Sequence, residues 1–348
     1  MGNLKYRLLS DVNLNSRFFD SLKEDYKEFV TWFNKKILTN ASAYIFEDND
    51  DIIGFLYLKE EVGPIKDVNP IIEGDKILKI GTMKIDAHGT KLGEKFIKKV
   101  LDNAIEKNIS KIYVTVFDKH DSLIDLYKKY GFNEYGQKET SSGTEIVLLK
   151  NLNNIVEDIL KIYPKFRISG VKKYVLSIYP KYHTKLFPDS ILKGEEYDLI
   201  KDVAYTNSIH KIYACNMSVG QLQKGDIILV YRTNDGSGPA KFRSVITSVC
   251  VVEELMSKNE FNDFEEFYDY SNKYSIFDRN DLERCYNKDS CYVIKMTYNA
   301  ILNKKVINND LKEIMDVVPN YWGFFTLTDK EFAKILEKGE VYESFIIN

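Results

Sequence analysis

The sequence is poor in the residues that build metal centres and disulfide frameworks. Its 348 residues include four cysteines and four histidines, with no CxxC pair and no cluster of cysteine with histidine. We therefore expect no metal site and reduced thiols, as is usual in a cytoplasmic protein. No apolar run approaches the ~20 residues that span a bilayer, so we expect no membrane partner.

The chain also lacks a charge imbalance, since its net charge is −3. This value selects neither nucleic acid nor any other class of partner, and nothing in the sequence gives an oligomeric state. The composition is 44% hydrophobic and 13% aromatic, which excludes a disordered chain and supports real cores. A chain of this length predicts two domains, with three as the alternative.

Residues 1–150 predict an α/β domain with a mixed β-sheet flanked by helices. Residues 17–38 have apolar side chains at helical spacing, and residues 43–47 and 52–58 form a predicted hairpin. The remaining predicted elements are strands at 77–85, 111–117 and 145–149, and helices at 91–107 and 121–130.

The pattern changes after residue 150. Residues 151–170 predict a linker with a short helix, Ile155–Ile162, which Pro164 prevents from continuing. Residues 171–348 predict an α+β domain built on a small β-barrel or strongly curved sheet. Its predicted strands are 175–179, 212–215, 226–231 and 243–253, and its predicted helices lie near 216–223, 258–270, 279–286 and 329–338.

A glycine turn between a strand and a helix is the first candidate site. The strand that ends at Ile85 is followed by His88-Gly89-Thr90-Lys91-Leu92-Gly93-Glu94. Glycines permit close backbone approach and positive φ, and the free N–H groups of a first helical turn attract anions. Lys91, Lys95 and Lys98 add positive charge. The turn is a candidate diphosphate site, although such turns also occur without any ligand.

Two motifs in residues 78–132 resemble those of the GNAT N-acetyltransferases. The family's Arg/Gln-x-x-Gly-x-Gly/Ala motif falls on His88, Lys91 and Gly93. A second motif falls on residues 120–132, where His120 replaces the family's Asn and Leu123 its Ala. The residues that match this second motif are Leu126, Tyr127, Lys129, Gly131 and Phe132.

The resemblance implies acetyl-CoA as the cofactor and direct attack of an amine on its thioester. It implies that Tyr127 is the general acid, with a packed helix residue as the alternative. A backbone N–H near Met83 would polarise the acetyl carbonyl. The implied cofactor-binding residues are Met83, Lys84, Ile85, His88, Gly89, Thr90, Lys91, Leu92, Gly93, Glu94, His120 and Lys129.

No general base is evident from the sequence. Glu60 and Glu61 follow the second predicted strand and are candidates, but an acidic pair beside Lys59 also suits a solvated loop. His120 is a further candidate, because histidine is a common general base, but it equally suits the cap of the following helix.

The C-terminal half resembles PUA-like domains of the ASCH/EVE group through Gly225-Asp226 with Leu229, Tyr231 and Arg232, followed by a Val-Ile-Thr strand. The resemblance implies that this domain binds RNA or a nucleobase. Residues 165–250 hold 13 Lys and Arg against 7 Asp and Glu, with tyrosines between them. The alternative is that these tyrosines pack the barrel. The candidate RNA or substrate residues are Lys181, His183, Lys185, Lys211, Arg232 and Arg243.

The sequence therefore predicts an acetyl-CoA-dependent N-acetyltransferase whose C-terminal domain recruits an amine substrate, with RNA as a candidate partner. One alternative is a weakly catalytic or non-catalytic GNAT scaffold that serves an RNA- or base-binding domain. Another is a small-molecule amine acetyltransferase with an architectural C-terminal domain.

Overall fold

The computed structural model describes residues 3–49, 51–86, 91–190 and 208–348. The chain divides into two compact units, the first ending at Ile162 and the second beginning at Tyr163. Within the described ranges, no helix combines the length and the apolar character that a membrane crossing requires.

The first unit is built on a seven-stranded sheet. Its strands are β1 (Asn3–Leu8), β2 (Ser42–Asp48), β3 (Asp51–Val62), β4 (Lys76–Ile85), β5 (Lys111–Val116), β6 (Asn133–Thr140) and β7 (Gly143–Asn151). Their order is β1-β2-β3-β4-β5-β7-β6. Strands β4 and β5 are parallel and the other neighbours are antiparallel, which confirms the predicted mixed sheet.

Five helices accompany this sheet. They are α1 (Asp20–Asp25), α2 (Phe29–Leu38), α3 (Leu92–Glu106), α4 (Asp121–Lys129) and α5 (Ile159–Ile162). The helical stretch predicted over 17–38 is divided, because Tyr26 takes an extended conformation with φ −122° and ψ 97° at the end of α1. Helix α5 is shorter than predicted and begins after Asp158, whose carboxylate accepts the N–H groups of Leu160 and Lys161.

Aromatic residues hold α1 and α2 against the sheet. Phe19 packs edge-on against Phe55 of β3 with ring centroids 5.4 Å apart, and Phe33 of α2 joins the same buried cluster. Helix α3 buries an apolar stripe that includes Phe96, Val100 and Ala104. This i, i+4, i+8 spacing is why the sequence pattern correctly predicts α3.

The second unit contains a six-stranded sheet and a two-stranded one. The strands are β8 (Phe166–Arg167), β9 (Lys173–Ile178), β10 (His210–Cys215), β11 (Ile227–Arg232), β12 (Val245–Ser257), β13 (Tyr292–Ile307), β14 (Phe324–Leu327) and β15 (Ile346–Ile347). The larger sheet has the order β10-β13-β12-β11-β9-β14, and β8 pairs with β15.

Of the two predicted alternatives, the described residues form the strongly curved sheet and not the small β-barrel, because β10 and β14 are separate edges of an open sheet. Helices cover these two edge strands, which a closed barrel would instead pair with each other. The helices of this unit are α6 (Pro180–Leu186), α7 (Ala240–Arg243), α8 (Phe264–Asn272), α9 (Arg279–Tyr286), α10 (Asn308–Ile314) and α11 (Asp329–Lys338). Helices α8 and α9 contact β10, and α11 contacts β14. Three register shifts between β12 and β13 curve the sheet, as predicted for a strongly curved one.

One local prediction in this unit is also wrong. Residues 216–223 form turns and bends rather than a helix. The turn at Gly225 leads into β11, which pairs with β9 and β12. Asp226 braces this turn by accepting the N–H groups of Lys172 and Gln223 at 3.0 and 2.9 Å.

The expectation of four reduced thiols needs a correction. Cys285 and Cys291 form a disulfide across a six-residue separation, with their Cα atoms 5.7 Å apart. The end of α9 and the start of β13 bring these residues together, which spacing alone did not indicate. Cys215 and Cys250 are free and buried. Burial raises the pKa of the Cys215 thiol to about 12.

Candidate active site

The two parallel strands at the centre of the first sheet separate part-way along their length. Strand β4 pairs with β5 from Ile77 to Ile80 and then continues to Ile85 with β3 as its only neighbour in the sheet of the described residues. The register with β3 shifts opposite Gly81, so a β-bulge lies where the separation begins. Bulges bend a strand and leave one residue outside the ladder. Beyond Ile80, no strand of the described ranges pairs with the edge of β4 that faces β5.

A cleft of about 940 Å³ opens where the strands separate. We call it the β4–β5 cleft. It is lined by β4 from Lys79 to Asp86, by the end of β5, by α1 and the start of α2, by α4, and by the β6–β7 turn. This volume suits a cofactor or a small molecule, since ligand sites commonly occupy 300–1,000 Å³.

Tyr127 of α4 lies at the inner wall of this cleft. It is fully buried, and its hydroxyl donates to the Sδ atom of Met83 at 3.3 Å. Burial, and then the nearby Tyr26, raise the pKa of Tyr127 far above its ordinary value, so the hydroxyl keeps its proton at neutral pH. A thioether is a weak acceptor, and the hydroxyl is therefore free to turn to a stronger one.

The structure describes only part of the predicted phosphate turn. His88, Gly89 and Thr90 lie outside the described residues. Helix α3 begins at Leu92 after Lys91, and no side chain caps it. Gly93 is helical rather than at positive φ, and its role is close packing, because a Cβ there would lie 2.8 Å from Leu126 Cδ2.

Two of the three lysines predicted to add charge to this turn do not lie there. Lys95 is fully buried, with its ammonium over the Phe46 ring, 4.7 Å from the centroid. Lys98 is buried against Asp102 at 2.6 Å. Both side chains are buried because α3 packs into the unit on a wider face than its apolar stripe. Lys91 remains half-buried at the start of the helix.

The other predicted cofactor residues fall into two groups. Met83 and Ile85 line the cleft, as does Lys84, whose ammonium donates to the Phe18 carbonyl and pairs with Asp86 at 3.3 Å. Glu94 and Lys129 lie outside its lining and bind each other at 2.8 Å, which ties the first turn of α3 to the last turn of α4. This ion pair joins α3 to α4, and α4 lines the cleft.

His120 lines the cleft but does not cap α4 with its side chain. Its carbonyl accepts the N–H groups of Leu123 and Ile124, whereas its side chain makes no capping bond. The imidazole Nε2 lies 3.4 Å from Asp25 Oδ2, and Asp25 also pairs with Lys119. The capping interpretation of the side chain is therefore wrong.

Glu60 and Glu61 lie in β3, outside the lining of the cleft. Glu60 pairs with Lys107 at 2.6 Å and Glu61 with Lys59 at 2.6 Å. Hydrogen bonds to Lys107 and Lys76 lower the pKa of Glu60. These ion pairs, rather than contact with Met83 or Tyr127, explain the two acidic residues.

Sequence reasoning missed Tyr26 and Glu145, which lie in the cleft. Burial, and then the negative charge of Glu145, raise the pKa of Tyr26. Glu145 is buried in β7 and alternates with Val147 on one face of the strand. A charged residue in an apolar alternation was the available signal, because such a position usually faces a core or a site.

The six residues predicted to bind RNA or substrate in the second unit do not form one surface. His183, Lys211 and Arg232 are buried, and Arg243 pairs with Asp235, so these four serve the interior and a local ion pair. Lys181 and Lys185 are exposed on α6. Two of the interleaved tyrosines, Tyr213 and Tyr231, are buried as the packing alternative expected.

His183 belongs to a buried set of hydrogen-bonding side chains that we call the polar cluster: His183, Ser190, Thr247, Ser248 and Tyr298. His183 Nε2 lies 2.8 Å from Thr247 Oγ1, and Ser190 Oγ lies 2.8 Å from Ser248 Oγ and 2.7 Å from the Tyr298 hydroxyl. Burial and the charges of Arg232 and Lys305 lower the pKa of His183 to about 3. Burial also lowers the pKa of Lys305 to about 8.

Comparison with known proteins gives a match in the region around the cleft. Residues 9–132 match the model of the acetyltransferase (GNAT) family. The matched residues include β4, β5 and Tyr127, so the resemblance predicted from the motifs is confirmed. No curated protein matches the chain significantly.

Solved structures similar to this chain include GNAT and ASCH proteins. An acetyltransferase of the GNAT family from Streptococcus pneumoniae is 14% identical, with a TM-score of 0.32 over 43% of this chain and 99% of that one. The IAA acetyltransferase from Bacillus cereus ATCC 14579 is 14% identical, with a TM-score of 0.31 over 43% and 99%. ASCH from Zymomonas mobilis is 11% identical, with a TM-score of 0.34 over 48% and 94%.

Proposed function

We propose that this protein is an acetyl-CoA-dependent N-acetyltransferase that uses the β4–β5 cleft. The observation that carries the proposal is the juxtaposition of an unpaired strand edge with a protonated hydroxyl. Beyond Ile80 the edge of β4 offers backbone groups to the cleft, and the Tyr127 hydroxyl lies 3.3 Å from Met83 Sδ on the same strand.

The residues of the cleft fit acetyl-CoA. The main chain at Met83, Lys84 and Ile85 would receive the pantetheine arm by strand-like pairing. The uncapped start of α3 would face the diphosphate, since its first N–H groups lack intrahelical acceptors. Acetyl-CoA supplies a thioester that an amine attacks.

The proposed transfer balances in bonds and protons. The lone pair of the neutral amine would form the new N–C bond, and the C–S bond would break with its electron pair on sulfur. Tyr127 would give its proton to the sulfur and regain the proton that the amine nitrogen loses. A backbone N–H near Met83 would donate to the acetyl oxygen as negative charge develops there.

A calorimetric titration of the full chain with acetyl-CoA tests the proposal. We expect saturable binding of one acetyl-CoA per chain and thiol release on addition of a primary amine. Binding without thiol release, across a panel of amines, would leave only the non-catalytic scaffold. No binding at all would remove the proposal.

The organisation of the second half belongs to the same proposal. We propose residues 1–150 as the transferase domain, 151–170 as the linker and 171–348 as a PUA-like domain that recruits substrate. Tyr179, Lys181 and Lys185 are exposed at α6 and are the residues that support RNA as a partner.

The RNA partner is tested with a single-stranded RNA of mixed sequence at two salt concentrations. We expect affinity that falls with salt and falls further in a Lys181→Gln, Lys185→Gln double variant. A Lys241→Gln, Lys330→Gln double variant is the matched control, since both lysines are exposed elsewhere on the second unit. Without a salt-dependent interaction, the architectural role of this domain is the one that stands.

A further inference from the structure

Glu145 is a buried carboxylate that lines the β4–β5 cleft. Only 5% of its surface is exposed, yet it belongs to the cleft lining together with Tyr26 and Tyr127. A buried charge is costly unless an opposite charge or hydrogen bonds compensate it. The Tyr26 hydroxyl donates a hydrogen bond to this carboxylate, which compensates part of the cost but supplies no opposite charge.

The basic residues around Glu145 bind other groups. Lys138 lies directly opposite Glu145 in the β6–β7 register, but its ammonium binds Asp67 at 2.5 Å. Lys119 binds Asp25. Across the described ranges, no lysine, arginine or histidine forms an ion pair with Glu145.

The other charged groups in the lining do not compensate Glu145 either. Lys84 lies on β4 and pairs with Asp86 at 3.3 Å. Lys79 also lies on β4. Its burial and, second, the positive charge of Lys138 lower the pKa of its ammonium group. Asp25, Glu28 and Asp121 are the other acidic residues of the lining. With Asp86 and Glu145, the lining holds five acidic residues against four lysines, so its charge leaves room for one added cation.

Aromatic side chains complete the surroundings. The Tyr26 hydroxyl faces Glu145, and the Tyr26 ring stacks on Phe117 with centroids 5.1 Å apart. Phe29 and Trp32 line the same cleft with their rings 5.5 Å apart. Aromatic faces attract cations and accommodate apolar stems.

We propose that Glu145 selects the acceptor, which is a diamine or a similar amine with a second, non-reacting ammonium group on an aliphatic stem. This inference rests on the proposed transferase function. A carboxylate stabilises the protonated form of an amine that it binds, whereas the reacting amine must be neutral to attack. Glu145 therefore suits the ammonium that does not react.

Three acceptors of equal chain length test the inference: 1,5-diaminopentane, 1-aminopentane and 5-aminopentanoate. With acetyl-CoA and the full chain, we expect the highest kcat/KM for the diamine and the lowest for the aminopentanoate. In Glu145→Gln, kcat/KM for the diamine falls about tenfold or more, mainly through KM, since hydrogen bonds to charged groups contribute roughly 1.5–3 kcal/mol. The value for 1-aminopentane changes less than twofold.

Glu139→Gln is the matched control, because Glu139 is exposed in β6 and accepts from Thr144 at 3.0 and 2.9 Å outside the cleft lining. Equal losses for the diamine and 1-aminopentane in Glu145→Gln, or a preference for aminopentanoate, would overturn the inference while transfer itself stands.

If no acceptor is acetylated and acetyl-CoA does not bind, the transferase proposal fails. Calorimetric titration of the full chain with 1,5-diaminopentane then decides on Glu145 alone: binding lost in Glu145→Gln supports the site, and binding absent or unchanged removes it.

Discussion

The β4–β5 cleft and the polar cluster of the second unit contain similar side chains in opposite relation to solvent. Both contain a tyrosine hydroxyl and a histidine, and both have basic residues nearby. In the cleft, Tyr127 donates to a weak thioether acceptor beside open volume. In the polar cluster, the Tyr298 hydroxyl and Ser190 lie 2.7 Å apart within the protein.

This difference distinguishes residues whose role is to bind a ligand from residues whose role is to stabilise the fold. A satisfied buried hydrogen bond contributes to stability, and its loss costs the desolvation of the remaining partner. A hydroxyl beside a cleft contributes little to stability until a stronger acceptor arrives. The same substitution, Tyr to Phe, should therefore change activity in one unit and stability in the other.

The largest expected effect is that of Tyr127→Phe on turnover. Removal of the proton donor should lower kcat about 100-fold, within the usual range for general acid catalysis, with acetyl-CoA affinity unchanged. Steady-state kinetics and calorimetry measure the two quantities. Tyr135→Phe is the control, since its hydroxyl donates to the Ile71 carbonyl at 2.7 Å outside the cleft lining. Unchanged turnover in Tyr127→Phe would leave this residue as packing alone.

The next effect concerns His183 and pH. Its pKa in the folded protein is about 3, below the value near 6.5 of an unfolded chain. The unfolded state therefore binds the proton more readily, and the contribution to stability is present above pH 6.5 and decreases as pH falls towards 3. Between pH 7.5 and 5 the second unit should lose about 2 kcal/mol of unfolding free energy through this group.

Denaturant unfolding with a single tryptophan measures this loss. The chain has two tryptophans, one in each unit, so a Trp32→Phe background leaves Trp322 to report the second unit alone. In that background, His183→Gln should remove the 2 kcal/mol difference between the two pH values. An unchanged pH dependence would show that His183 is not the titrating group.

The smallest effect is that of Tyr298→Phe. Loss of its hydroxyl leaves Ser190 with Ser248, so the second unit should lose about 1 kcal/mol of unfolding free energy. Acetyl transfer should stay within twofold of the parent protein. Trp322 fluorescence measures the first quantity and thiol release the second. A large loss of acetyl transfer at unchanged stability would place Tyr298 in a functional site. It would contradict the distinction between the β4–β5 cleft and the polar cluster.

The sequence predicts the elements whose pattern is strong and local. Helix α3 and the helix stop at Gly131, which has φ +81°, follow from apolar spacing and glycine chemistry. Strand β6 was not predicted, because its residues Asn133–Thr140 are mostly polar at the edge of the sheet. Helix α11 begins at the capping box of Thr328 and Glu331 and was predicted at its full length.

Prediction of the candidate site was limited by long-range pairing. Motif matches are enough to single out Tyr127, since the spacing to Gly131 and Phe132 is local. The place of Glu145 beside Tyr26 depends on how β7 and the end of α1 meet at the cleft, 119 positions apart in the chain, so no local pattern contains it. Burial of His183, Lys211 and Arg232 likewise depends on sheet packing rather than on composition.

The free edge of β4 is the feature on which the account depends. Hydrogen–deuterium exchange of the full chain, with and without acetyl-CoA, measures it directly, because amides outside a ladder exchange quickly until a partner binds them. Acetyl-CoA should slow exchange in peptides that cover Gly81–Ile85, and should leave peptides of β13 in the second unit unchanged. Exchange that stays fast at Gly81–Ile85 when acetyl-CoA is bound, or protection that is confined to the second unit, would contradict the account.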